Sequence, residues 1–341
     1  MEIIDKSNMK KILRDFPRQF KAGIRAAKKV SLDSFNPGPF KNIIVCGMGG
    51  SAFAGEIILG LRPLNIFLHK SYGLPLQANN ESLIICLSYS GNTEETISSF
   101  KEALNRNLSL IAISSGGELI RLSQENKTPF VLLPPPIIPP RASGAMQFAS
   151  LVQVLANNNL VPQSFAKETL NLGKSLKSRE ISAIGKKLAK RLYKKLPAVY
   201  TTKGLSASSL IWKNNLNENA KVLAVSNYFP ELNHNELSSF WKIEKQFKKN
   251  KVFAVFLRDK EENPRLLKQM NISLEMLESY GIDKELIDIP GESILEKMFY
   301  SIFLGMWTSY WLALKYKIDP TLIETVQEIK CRLNDKKKIS Q

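Results

Sequence analysis

Apolar residues follow two alternating rhythms along most of the chain. Short unbroken apolar runs stand at 42–47, 65–68, 83–87, 108–113 and 130–133, while helical spacing fills 52–61, 93–105 and 118–126 between them. Unalternated runs are strands buried on both faces, and helices between such strands supply the crossovers of a parallel sheet. The pattern predicts a doubly wound α/β unit, a flavodoxin-like three-layer sandwich. Upstream, an amphipathic helical pattern over 10–29 closes at the breaker cluster Asn36-Pro37-Gly38-Pro39.

Downstream, the run from Pro134 to Pro140 excludes helix and central strand, because proline lacks the amide donor and fixes φ. It predicts a stiff connector that delivers Arg141 to a defined place. Helical spacing resumes over 144–157, stops at Asn157-Asn158-Asn159, and continues as one long helix over 164–195 before a short strand at 198–201. The segment Val199-Tyr200-Thr201-Thr202-Lys203-Gly204-Leu205-Ser206 repeats the strand, glycine, serine order of 45–51. Likewise the strand 252–257 and helix 264–280 mirror 83–105. A second, similar α/β domain is therefore expected, with helices over 293–316 and 321–333 closing the chain on either side of Ile318-Asp319-Pro320. The expected divisions are 1–40 for a helical lead-in, 41–160 for the first domain and 161–341 for the second with its C-terminal helix.

Length and composition agree with two folded domains: 341 residues, 44% hydrophobic. Lysine and arginine outnumber aspartate and glutamate by 48 to 31, a formal charge of +17. That excess invites a polyanion as partner, yet the basic residues are scattered in short pieces such as Lys186-Lys187, Lys194-Lys195, Lys248-Lys249 and Lys336-Lys337-Lys338. No nucleic-acid-binding motif accompanies them, so no nucleic acid is expected. Cys46 and Cys86 lie in strand-like runs and read as small buried hydrophobes; with Cys331, His69 and His234 they offer no metal-ligand spacing, so no metal is expected. The N-terminus lacks a signal-like apolar core and no run of eighteen apolar residues occurs, so a cytoplasmic protein without a membrane partner is expected.

Two strand ends carry candidate chemistry. At the first, Gly47-Met48-Gly49-Gly50-Ser51 lets backbone amides and a helix dipole approach an anion, although the spacing is neither G-x-G-x-x-G nor a P-loop. At the second, Ser88-Tyr89-Ser90-Gly91-Asn92-Thr93 gathers more small hydroxyls than a helix cap at Thr93 requires. Strand ends of one parallel sheet converge on the crevice where such sheets bind ligands. Gly49, Gly50, Ser51, Ser88, Ser90 and Thr93 are therefore the expected binding set for a phosphate monoester.

Gly-Gly-Ser followed by Ser-Tyr-Ser-Gly-Asn-Thr resembles the sugar isomerase (SIS) domain. Asn217-Glu218-Asn219-Ala220-Lys221 and Pro230-Glu231-Leu232-Asn233-His234-Asn235-Glu236 narrow the resemblance to the bifunctional phosphoglucose/phosphomannose isomerases, from about residue 40 onward. The resemblance implies two SIS domains, a homodimer, no cofactor, and interconversion of glucose 6-phosphate or mannose 6-phosphate with fructose 6-phosphate. It also implies Glu218 as base, His234 as the ring-opening residue from the neighbouring subunit, Arg141 as stabiliser of the intermediate, and Lys330 as a further catalytic group. Ser143-Gly144 departs from the family, which tends to alanine there. His234 is expected at a helix start capped by Asn233, with Glu236 three residues on, where the helix dipole would keep the ring neutral. A sugar-phosphate-sensing regulator would use the same loop without catalysis, and an isomerase of another phosphosugar or an aminosugar synthase would share the domain.

Overall fold

The predicted apolar runs form two parallel sheets in the computed structural model, which describes residues 4–32, 40–61, 65–135, 138–243 and 251–334. The Asn36-Pro37-Gly38-Pro39 cluster, Pro136, Lys248-Lys249 and Lys336-Lys337-Lys338 lie outside the described residues. The first sheet contains β1 (Asn42–Cys46), β2 (Ile66–His69), β3 (Ser82–Leu87), β4 (Ser109–Ser114) and β5 (Phe130–Leu132), in the order β2-β1-β3-β4-β5. All of its pairings are parallel, with Cys46 level with Cys86. The second contains β6 (Leu196–Thr202), β7 (Val225–Phe229), β8 (Val252–Arg258) and β9 (Asp283–Asp288), in the order β7-β6-β8-β9. It is also parallel throughout, and its order matches the first four strands of the other sheet.

Two of these strands carry no apolar run. In β7 (VSNYF) and β9 (DKELID) most residues are half-buried, because both strands stand at sheet edges where one flank meets water. By contrast β1 and β3 are buried at every position, as expected of central strands covered on both faces.

The first sheet is flanked by α3 (Gly49–Leu61), α4 (Glu94–Asn105) and α5 (Gly117–Glu125), and the second by α9 (Ser206–Ala220) and α10 (Pro264–Ser279). Between the sheets run α6 (Gly144–Asn157) and α11 (Ile294–Lys315), apolar nearly all round and almost wholly buried. The helical lead-in is two helices, α1 (Met9–Asp15) and α2 (Gln19–Ala27), joined by a 3-10 turn at Phe16-Pro17-Arg18 where proline cannot continue the ladder. It belongs to the core. Phe16 stacks on Phe303 at 4.9 Å, and Gly23 lies so close to α6 that a Cβ there would stand 2.2 Å from the Met146 carbonyl oxygen.

The single helix expected over 164–195 is instead α7 (Gln163–Ser175) and α8 (Ser178–Leu192). Leu176 and Lys177 leave the helical region while Leu176 turns inward to a buried position, and the Ser175 hydroxyl donates to the Leu172 carbonyl at 3.0 Å. A serine satisfying a carbonyl locally and one buried leucine are enough to end the helix without glycine or proline. A final helix, α12 (Glu324–Asn334), is exposed at each position from Glu324 to Leu333.

Candidate active site

The α3 and α9 helices pack with the N-terminus of one near the C-terminus of the other, and this arrangement assembles the site. Gly49 has a φ of +51° with open space where a Cβ would stand, so it turns the chain from β1 into α3 with its backbone accessible. Gly50 does a different job. A Cβ on it would lie 2.5 Å from the backbone of Arg141 and 2.7 Å from that of Pro140, so glycine is what allows the 3-10 turn Pro140–Ser143 to seat on α3.

The serine-rich loop after β3 stands beside this turn. The Tyr89 amide donates to the Ser51 hydroxyl at 3.0 Å, tying the two strand ends together. The Ser88 and Thr93 hydroxyls share a hydrogen bond of 2.9 Å, the Gly91 amide donates to Ser88 Oγ at 3.2 Å, and the Asn92 amide donates to Ser90 Oγ at 3.3 Å. Thr93 occupies the N-cap of α4 without capping it through its side chain. The helix end is thus left with backbone donors directed at the hydroxyl cluster.

Arg141 projects from its turn into the second half of the molecule, 3% exposed. Its Nε donates to Asn219 Oδ1 at 2.6 Å, and one terminal nitrogen donates to the carbonyls of Pro320 and Thr321 at 2.8 and 2.9 Å. The other terminal nitrogen lies 3.5 Å from Glu218 Oε2. Asn219 is itself held by Ser309 Oγ on α11 at 2.9 Å. Lys221, with a left-handed φ of 54° at the end of α9, donates to the carbonyls of Glu218, Asp319 and Leu322. Burial pushes the Glu218 carboxyl above its ordinary range, against the pull of Arg141 and Lys221, and lowers both cations. A half-buried carboxyl with a raised pKa beside a buried guanidinium is equipped to take a proton from carbon while charge develops nearby.

Three supporting residues had no role assigned from sequence. Asn219 lay inside a quoted motif, Asp319 read only as a breaker, and Gln19 looked like one polar residue of a lead-in helix. Gln19 is 8% exposed and donates to the Ala142 carbonyl at 2.7 Å, clamping the Arg141 turn from α2. Ser143, the family departure, accepts from Gln147 at 2.6 Å and donates to the Pro140 carbonyl at 2.7 Å, so it braces that same turn.

The remaining two candidates stand apart. His234 ends a 3-10 turn, Glu231–His234, and is exposed. The expected helix start is absent there: Asn233 bonds Gln269 and Ser273 on α10, Glu236 accepts from Tyr200 and Asn227, and Asn235 caps the next 3-10 turn, Glu236–Phe240. Lys330 lies on the exposed face of α12. Among the described residues, neither makes a hydrogen bond or ion pair with the Arg141–Glu218 pair or the hydroxyl loop. No group of His, Cys, Asp and Glu suited to a metal occurs among the described residues, and no helix among them is long and apolar enough to cross a membrane.

Comparison with known proteins bears on the same arrangement. Residues 182–333 match the family described as the bacterial phospho-glucose isomerase C-terminal SIS domain. A bifunctional phosphoglucose/phosphomannose isomerase of Aquifex aeolicus is 33% identical over 297 residues, covering 86% of this chain and 90% of the relative. Its counterpart in Thermoplasma volcanium is 31% identical, covering 87% and 93%. Among solved structures, the C-terminal domain of glucosamine-fructose-6-phosphate aminotransferase from Francisella tularensis superimposes with a TM-score of 0.67 over 92% of this chain and 98% of that one, at 17% identity, which is a likeness of fold. Two named relatives above 30% identity along nearly their whole length show that the chain belongs to the bifunctional phosphoglucose/phosphomannose isomerase family.

Proposed function

We propose that the chain is an aldose–ketose isomerase that interconverts glucose 6-phosphate or mannose 6-phosphate with fructose 6-phosphate through an enediolate. The observation that supports this most is the Glu218 carboxylate 3.5 Å from the Arg141 guanidinium, on the turn that seats against Gly50 beside the hydroxyl loop. Ser51, Ser88, Ser90 and Thr93, with the amides at the starts of α3 and α4, hold the 6-phosphate. Glu218 removes the proton from C2 of the aldose and returns it to C1. Arg141 stabilises the negative charge that develops on the enediolate oxygen. The reaction is internally balanced, since C1 is reduced as C2 is oxidised, and needs no external electron carrier.

His234 and Lys330 complete the set in this reading. His234 comes from a second copy in a homodimer and passes a proton to the ring oxygen, a role consistent with its exposure and its separation from Glu218 within one chain. The protein acts in the cytoplasm. A coupled assay that offers glucose 6-phosphate and mannose 6-phosphate separately tests the proposal. Formation of fructose 6-phosphate from either aldose is expected, and turnover of neither would overturn it.

A further inference from the structure

Away from that site, α1, α8 and α11 enclose a cavity of about 540 Å³. Its walls carry four cations: Lys10 and Arg14 from α1, Arg179 and Lys186 from α8. None of the four forms an ion pair among the described residues. Asp5, just ahead of α1, is occupied by the amides of Met9 and Lys10 and by the Tyr310 hydroxyl. Asp15 is paired with Arg18. Like charges gathered without a counter-charge raise the free energy of the folded state unless an anion joins them.

The floor is indole. Trp311 lies under the Lys186 and Lys10 ammonium groups at 4.8 and 5.9 Å, and its Nε1 donates to Ser182 at 3.0 Å. Trp307, 1% exposed, also lines the cavity, yet among the described residues its Nε1 has no hydrogen-bond partner. The Ser178 hydroxyl is buried and unpartnered as well, in the first turn of α8, which no side chain caps. A buried N–H left unbonded is costly and calls for an explanation, which a ligand acceptor in this cavity would supply.

We propose that this cavity binds a multiply phosphorylated small metabolite, independently of the isomerase site. Four unpaired cations exceed what a sugar monophosphate needs, and the volume falls within the range of small-molecule sites rather than that of a single phosphate ion. Phosphate oxygens accept from the cations and from the first-turn amides of α8, and the indoles offer flat surface to any ring the ligand carries.

Calorimetric titration of the full chain with sodium tripolyphosphate, and separately with adenosine triphosphate, tests the proposal. Saturable binding that weakens with added salt is expected for at least one of them. Tighter binding of the nucleotide assigns the site to nucleoside polyphosphates, and equal binding assigns it to the polyphosphate chain alone. The Arg179→Glu/Lys186→Glu double variant, its fold checked by circular dichroism, should bind at least tenfold more weakly while its isomerase kcat and KM stay unchanged. Ser88→Ala, in the hydroxyl loop, should leave the polyphosphate Kd unchanged. No binding by either probe, an unaltered Kd in the double variant, or loss of binding in Ser88→Ala would each overturn it.

Discussion

Two sheets with one strand order treat their equivalent loops in opposite ways. After β1 and β3 the chain presents glycines and hydroxyls, with the Ser88 hydroxyl bonded to Thr93 and the Gly91 amide and, among the described residues, no cation tied in. After β6 and β8 the same positions hold Lys203 and the acidic segment Asp259 to Glu262, and Lys297 of α11 bonds both Asp259 and Glu261. In the proposed reading the first crevice keeps its donors for an anion, while the second has polar groups that satisfy one another. The second half contributes instead through the far end of its first helix, where Glu218, Asn219 and Lys221 close α9. A fold alone therefore does not say where its chemistry sits; the loops and helix ends do.

The sharpest break of this comparison separates binding from proton transfer. Glu218→Gln is expected to lower kcat by roughly a thousandfold and to abolish solvent-deuterium exchange at C2, followed by NMR, because among the described residues Glu218 is the carboxylate within ion-pair distance of Arg141. Phosphate affinity should be largely kept. Ser88→Ala should do the reverse, raising KM several-fold with exchange retained. Exchange surviving in the glutamine variant would remove the second half from the chemistry.

Equivalent glycines provide the next test. Gly50→Ala forces a Cβ to 2.5 Å from the Arg141 backbone, and backbone cannot yield as a flexible side chain would, so a loss of about 1–3 kcal/mol and a marked drop in kcat are expected. At Gly204, the counterpart after β6, the nearest atoms to a Cβ are 3.8 Å away. Alanine there should change the unfolding free energy by less than about 0.5 kcal/mol. Equal effects at the two positions would mean that the Pro140–Ser143 turn does not seat on Gly50.

The pH dependence tests which charge governs Glu218. In the proposed role of base it would work ionised, so activity should fall as pH drops through its pKa, and burial has already moved that pKa upward. Lys221 opposes the rise. Lys221→Met removes a positive charge that favours the carboxylate, so the acid limb of the kcat/KM profile should move to higher pH, with the upper plateau kept. An unmoved limb would assign it to another group.

Much of the fold was legible because buried strands and helices differ in period. The central strands β1, β3 and β8 and the helices α6 and α11 declare themselves by unbroken or three-to-four spacing of apolar residues. Edge strands β7 and β9 do not, since their partly exposed side chains are mostly polar in β7 and charged in β9. In the candidate site, the hydroxyl loop was legible as a local cluster, and Glu218 only through the family resemblance of its motif. The clamp on Arg141 was not. Gln19 lies 123 positions from the carbonyl it bonds, and the Pro320 carbonyl lies 179 positions from Arg141. Such contacts are set by how α2, α6 and the 319–322 segment converge, and no local pattern encodes that convergence. The helix start expected at Asn233 failed for the same reason, its amide having found partners on α10.

The smallest expected effect concerns Ser143, where the family tends to alanine. Its hydroxyl donates to the Pro140 carbonyl and accepts from Gln147 Nε2, which also reaches that carbonyl at 3.3 Å. Ser143→Ala removes one acceptor but leaves Gln147 a partner, and the methyl occupies the space already filled by Cβ. Arg141 keeps Asn219, Pro320, Thr321 and Glu218 around its guanidinium. The cost should stay near 1 kcal/mol in chemical denaturation, with kcat within about twofold of the parent. A much larger kcat loss with stability kept would mean that the serine orients Arg141 rather than bracing the turn beneath it, and the first half would then contribute to the chemistry as well as to phosphate binding.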